Sequence, residues 1–247
     1  MSRATPGLFT PTLSIASREL RALLASAAGW LVIALFLLLA GGAFASQALQ
    51  PGAPASMRTF FDFAGLLLLW MVPAIAMRLL SEESRAGTLE PLVTSAAGDA
   101  AITLGKYLGG LAFLAFLLAP TLAYAAILGS VSDPAPDIGP VASGYLSLAL
   151  LGATYLALGL LASTLTNSQT LAYLAALLAL LGLRFLASGT AAVPGFVLNT
   201  ARSIEPAERA RRLAAGIVHA QDLAYFPLAA GLLLVATFAV LSSRRWR

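Results

Sequence analysis

The chain has 247 residues, of which 59% are hydrophobic and only 11% charged, against about 25% charged in an average soluble domain. So little charge cannot cover a folded chain against water, which excludes an ordinary soluble globular domain and leaves lipid as the solvent. The net charge is +4 and the pI about 9.9, but the arginines flank apolar runs, where membrane topology and anionic headgroups account for them, and no nucleic-acid partner is expected.

A helix needs roughly 20 apolar residues to cross the hydrocarbon core. Before the first such run, Leu13, Ile15, Leu20, Leu23 and Leu24 alternate with Arg18, Glu19 and Arg21, predicting an interfacial elbow helix over 11–26. Six spans follow at about 24–45, 60–80, 107–128, 141–165, 170–186 and 223–241. The run ahead of Ala43-Phe44-Ala45 is longer than a signal-peptide core, so it is kept as the first span. The expected fold is all-α and polytopic, one transmembrane permease domain over 1–247. Between the fifth and sixth spans, Pro194-Gly195 marks a turn and Pro206 suits the first turn of a surface helix over 205–218. There Glu208 and Arg212, four apart, could pair. Asp62, Arg78 and Arg184 fall near span ends and read as interfacial anchors; Asp222 reads as a helix cap and His219 as a loop residue.

Charge sets orientation. Arg3, Arg18, Arg21, Arg78, Arg85, Lys106, Arg244, Arg245 and Arg247 fall on one side of a six-span chain, and Asp133 and Asp137 on the other. Both termini are therefore expected in the cytoplasm, in a cell membrane of the bacterial inner-membrane type. Arg58, between the first two spans, and Arg202, Arg209, Arg211 and Arg212 run against this rule. Small residues recur at Gly105 and Gly109, and at Gly152, Gly159 and Ser163; such stripes allow close helix approach, either within one subunit or at a dimer interface.

The loop after the second span carries the most information. Gly87 can break the helix descending from that span, Thr88 can cap a new one with Pro91 in its first turn, and Asp99 can cap the return into the membrane. A short polar helix rigidly joined to two spans suits transmission of force. The run Glu82-Glu83, Gly87-Thr88-Leu89-Glu90, Leu92, Thr94 and then Gly105-Lys106 resembles the permease subunits of ABC-2 type transporters, nearest to their gliding-motility-type branch. Arg18-Glu19-Leu20-Arg21 resembles the start of that family, and Gly216-Ile217-Val218, Asp222-Leu223 and Tyr225-Phe226 its approach to the last span. Pro91, where the family usually has Leu, departs from the pattern, as does the absence of a Pro near Ala96 or Ala97. The resemblance implies a coupling helix that docks on a cytoplasmic ABC ATPase through Glu82, Glu83, Gly87, Thr88 and Glu90. It also implies a second permease subunit, identical or related, and re-entrant or surface helices between spans five and six on the outer side.

No cofactor is expected on this chain. A P-loop needs G-x-x-x-x-G-K-[ST], but Ala100 and Tyr107 break that pattern around Gly105-Lys106, so ATP and magnesium are expected on the partner ATPase. The absence of cysteine removes thiol chemistry and cysteine metal ligands. An intramembrane enzyme would need more than Glu82-Glu83 and one histidine. A secondary transporter or channel, the main alternative, would place ionisable groups at mid-membrane. The expected activity is that of a non-enzymatic permease subunit, an ATP-driven exporter bound to membrane lipid.

Overall fold

The computed structural model describes residues 9–50, 55–85, 98–189 and 194–244. All regular structure among them is helical. The helices are α1 (Phe9–Ala25), α2 (Ala27–Ala48), α3 (Arg58–Ala76), α4 (Arg78–Arg85), α5 (Gly98–Leu118), α6 (Leu122–Val131), α7 (Ile138–Leu165), α8 (Gln169–Ser188), α9 (Gly195–Ile204), α10 (Pro206–Ala214) and α11 (Ala220–Arg244). Among the described residues six stretches are long and apolar enough to cross a membrane: Ala27–Ala48, Arg58–Glu83, Gly98–Val131, Ile138–Leu165, Gln169–Ser188 and Ala220–Ser243. That pattern fits a multi-pass membrane protein. The outward leucines of α2, α8 and α11, among them Leu38, Leu178 and Leu232, are exposed, as surfaces bathed in lipid should be.

Helix ends are fixed by local chemistry. Ser26 separates α1 from α2, its Oγ accepting from Gly29 N at 3.0 Å and donating to the Leu23 carbonyl at 2.8 Å. The bend is so tight that a Cβ on Gly29 would lie 2.1 Å from the Leu23 carbonyl oxygen. Asp137 caps α7 through Gly139 N at 3.1 Å. Pro120 lacks an N–H and disfavours a continuing α-helix; a 3₁₀ turn at Ala119–Thr121 joins α5 to α6, and Tyr145 Oη donates to the Thr121 carbonyl at 2.6 Å.

The core is built around α7, which packs against α3, α4, α5, α8, α10 and α11. Leu68, Val72, Phe113, Leu117, Tyr155, Leu160 and Leu213 are buried there. The small residues foreseen as contact stripes act within the subunit. A Cβ on Gly152 would meet Leu114 at 2.5 Å, one on Gly159 would meet Ala76 at 2.4 Å, and one on Gly109 would meet Glu19 Cβ at 2.6 Å.

The third apolar helix begins at Gly98, beside the Asp99 expected to start the return into the membrane and ahead of the span placed at about 107–128. Asp99 lies in its first turn and Gly105-Lys106 lies inside it, with Lys106 only 1% exposed. Hydropathy treats a lysine as a break, but two carboxylates compensate this one. The segment expected to form an elbow lies in a separate helix, α1, packed along α5.

Between α8 and α11 the chain forms a helical hairpin of α9 and α10, two helices where the residues marked a turn at Pro194-Gly195 before one helix and the family resemblance implied several. α9 runs back along α8: Arg202 Nε donates to the Ala187 carbonyl at 3.1 Å, and Arg184 lies 3.5 Å from Glu205 at the bend. α10 returns toward the N-terminus of α7, where Gly216, with φ of +82°, abuts Pro140. Glu208 pairs with Arg211 at 3.1 Å, not with Arg212. Asp222 sits in the first turn of α11 and accepts from Arg209 and Arg212, both at 2.7 Å, instead of capping the helix. Arg184 is likewise no free anchor. Three of the hairpin's arginines are thus ion-paired, Arg209 and Arg212 sharing Asp222 and Arg211 taking Glu208.

Candidate functional site

The charged residues of the second span's end are assembled by a break in the helix. α3 stops at Ala76 and α4 starts at Arg78. A new helix start leaves backbone N–H groups without intrahelical acceptors. Ser163 of α7 supplies one: its Oγ accepts from Leu80 N at 3.1 Å and Ser81 N at 2.8 Å, and donates to the Met77 carbonyl at 3.0 Å. One hydroxyl therefore fixes the direction of α4 from outside the helix.

Glu82 and Glu83 are adjacent on α4, and a helix turns about 100° between neighbours, so they do different things. Glu82 is half exposed and pairs with Arg78 at 3.2 Å. Arg78 also donates to Ser26 Oγ at 3.3 Å, at the bend between α1 and α2. Glu83 turns inward. Its Oε1 lies 3.0 Å from Lys106 Nζ on α5 and 3.1 Å from Arg18 Nη2 on α1. Lys106 Nζ also lies 2.9 Å from Glu19 Oε1 of α1. Arg18, Glu19, Glu83 and Lys106 line a cavity of about 350 Å³ between α1, α4 and α5.

α1 can come this close because α5 presents glycine. A Cβ on Gly105 would lie 2.7 Å from Ile15 Cβ, and one on Gly109 would lie 2.9 Å from the Ala16 carbonyl oxygen. The Gly105-Lys106 pair therefore works as a unit, the glycine admitting α1 and the lysine fastening it. Buried ion pairs are not reliable sources of net stability, but breaking one by removing a single partner is costly. The arrangement thus ties α1, α4 and α5 to one another.

Among the residues singled out for coupling, Glu82 and Glu83 are brought to this junction. Gly87, Thr88 and Glu90 lie outside the described residues. Arg18, Glu19, Lys106 and Ser163 complete the junction and were not foreseen as site residues. One signal was available: Lys106 is the only lysine in the chain.

A second charged group lies at the opposite end of the bundle. Arg209 and Arg212 hold Asp222, and the Arg209 guanidinium lies 4.5 Å from the centre of the Tyr225 ring. Tyr225 Oη also hydrogen-bonds to the Ile204 carbonyl. Burial raises the Glu205 pKa above its ordinary value, against the smaller lowering effects of Arg184 and Arg211. Hydrogen bonding to Asp222 raises that of Arg212. These contacts tie the α9–α10 hairpin to α8 and α11. No family model and no curated protein matches the chain.

Proposed function

We propose that this chain is the transmembrane permease subunit of an ATP-driven ABC-2 type transporter, an exporter whose ATPase is a separate cytoplasmic polypeptide. The observation that carries the reading is the bridge formed by Glu19, Lys106 and Glu83. α4 leads into segment 86–97 and α5 leaves it. A force applied to that segment reaches α3 and α5 together, and reaches α1 through Lys106. A polar segment held this way suits a docking site for an ATPase, with Glu82, Glu83, Gly87, Thr88 and Glu90 as the coupling set. ATP and magnesium belong to the partner.

In this reading the end of the bundle bearing Glu83 faces the cytoplasm, with α1 as the elbow helix in the headgroup region and both termini inside a bacterial inner membrane. The α9–α10 hairpin then lies on the outer side. A second copy, or a related permease subunit, completes the translocation pathway.

A secondary transporter or channel is the second reading, favoured by the charged groups Asp62, Arg184 and Arg211 on one cavity. Co-purification from native membrane separates the two. A bound ATPase that is lost from the Glu82→Lys variant supports the ABC-2 reading. Transport by the lone chain, driven by an ion gradient without ATP, would sink it.

A further inference from the structure

A cavity of about 190 Å³ lies between α3, α7, α8 and α10, lined in part by Phe61, Asp62, Ser147, Arg184, Ala210 and Arg211. Three ionisable side chains face this small space. Arg184 is paired with Glu205 at 3.5 Å and Arg211 with Glu208 at 3.1 Å. Asp62 has no ion-pair partner within 4.0 Å among the described residues. The unbalanced charge is therefore one carboxylate. Each guanidinium has five N–H donors, so one carboxylate partner leaves donors for a further acceptor. The cavity thus offers a cation-binding group on α3 opposite anion-binding groups on α8 and α10.

Arg184 belongs to a second feature as well. An open groove on α8 is lined by Leu178, Leu181, Gly182, Arg184, Phe185 and Ser188. Leu178 and Phe185 are exposed. A polar cavity with both signs of charge adjoins an apolar groove, and one arginine stands at the junction. We infer that this pair of features binds one amphiphile with a zwitterionic head, its ammonium on Asp62, its anionic oxygens on Arg184 and Arg211, and its chain along the α8 groove. The chemistry is that of a zwitterionic phospholipid. An isolated anionic head would face Asp62 without compensation, and like charge in a site of low dielectric is unfavourable. The site lies within one subunit, so the inference does not rest on the ATPase reading.

The test is native mass spectrometry of the full chain, delipidated in detergent and titrated with phosphatidylethanolamine, phosphatidylglycerol or glycerophosphoethanolamine. The zwitterionic lipid should bind about tenfold more tightly than the anionic one, and the tail-less head more weakly still by at least about tenfold. Asp62→Asn should bring phosphatidylethanolamine down to the level of phosphatidylglycerol. Arg211→Gln should weaken both lipids, with the thermal unfolding of the variant as its folding control. Equal or tighter binding of phosphatidylglycerol, or an Asp62→Asn variant that keeps the preference, overturns the proposal. Binding of glycerophosphoethanolamine as tight as that of the lipid overturns the amphiphile in favour of a soluble zwitterion.

Discussion

Lys106 and Glu83 meet at 3.0 Å although 22 positions separate them, with segment 86–97 between. The lysine side chain is 1% exposed and the carboxylate 19%. Lys106→Ala would leave Glu19 and Glu83 near one another with only the more exposed Arg18 as their cation. The expected cost is about 2–4 kcal/mol, below the about 3–5 of a fully buried pair because the carboxylates keep some solvent. Thermal unfolding in detergent measures it. Replacing Glu19, Glu83 and Lys106 together by Leu, Leu and Met should recover most of the loss. A Lys106→Ala variant within about 0.5 kcal/mol of the parent would mean that the three charges are not coupled.

The six apolar helices were legible because each is a long run of low charge, and lipid rewards that property residue by residue. The burial of Lys106 inside α5 was not, because the partners that make a buried lysine tolerable, Glu19 and Glu83, come from two other helices. Glu82-Glu83 stood out as a pair, but their split between an outward and an inward role needs the helix phase of α4 and the position of α1. The pairing within the hairpin was misassigned for a similar reason. Asp222 takes both Arg209 and Arg212, and a local i,i+4 rule assigns Arg212 to Glu208.

The proposed sidedness rests on the charge distribution. The chain contains no cysteine, so single-cysteine labelling has no background. Ala135→Cys, between α6 and α7, should react with an impermeant thiol reagent added outside intact cells. Arg85→Cys, at the end of α4, should react only after the membrane is opened. The reverse pattern would invert the proposed topology.

The α9–α10 hairpin should respond to pH through Glu205. Burial is the largest influence and raises the carboxyl's pKa above its ordinary 4.5. A raised carboxyl contributes its stabilisation fully below the unfolded value and loses it as pH rises through the folded value. The thermal midpoint in detergent should therefore fall between about pH 4.5 and neutrality by more in the parent than in Glu205→Gln. Identical slopes for the two proteins would show that Arg184 already compensates the charge in full.

Coupling provides the sharpest division between neighbouring residues. Glu82 is half exposed on α4, so Glu82→Lys should leave stability nearly unchanged and act on the ATPase contact directly. Glu90→Lys, within the loop assigned to docking, should do the same. A desolvated charge contact broken at such an interface costs about 2–5 kcal/mol of association, enough to lose the ATPase during purification. Glu83→Lys should behave differently. It puts a third cation beside Lys106 and Arg18, so it should lower the unfolding temperature and uncouple ATP hydrolysis from transport even where the ATPase is retained. Gly87→Val should disturb coupling through the backbone, since valine restricts the conformations open to glycine. Ala135→Lys serves as the control at the other end of the bundle. Partner retention, ATP hydrolysis and transport are to be measured for all five variants. If Glu82→Lys and Glu90→Lys keep the ATPase as well as the control does, segment 86–97 is not the docking site. If Glu83→Lys also hydrolyses and transports like the control, the bridge between α1, α4 and α5 transmits nothing.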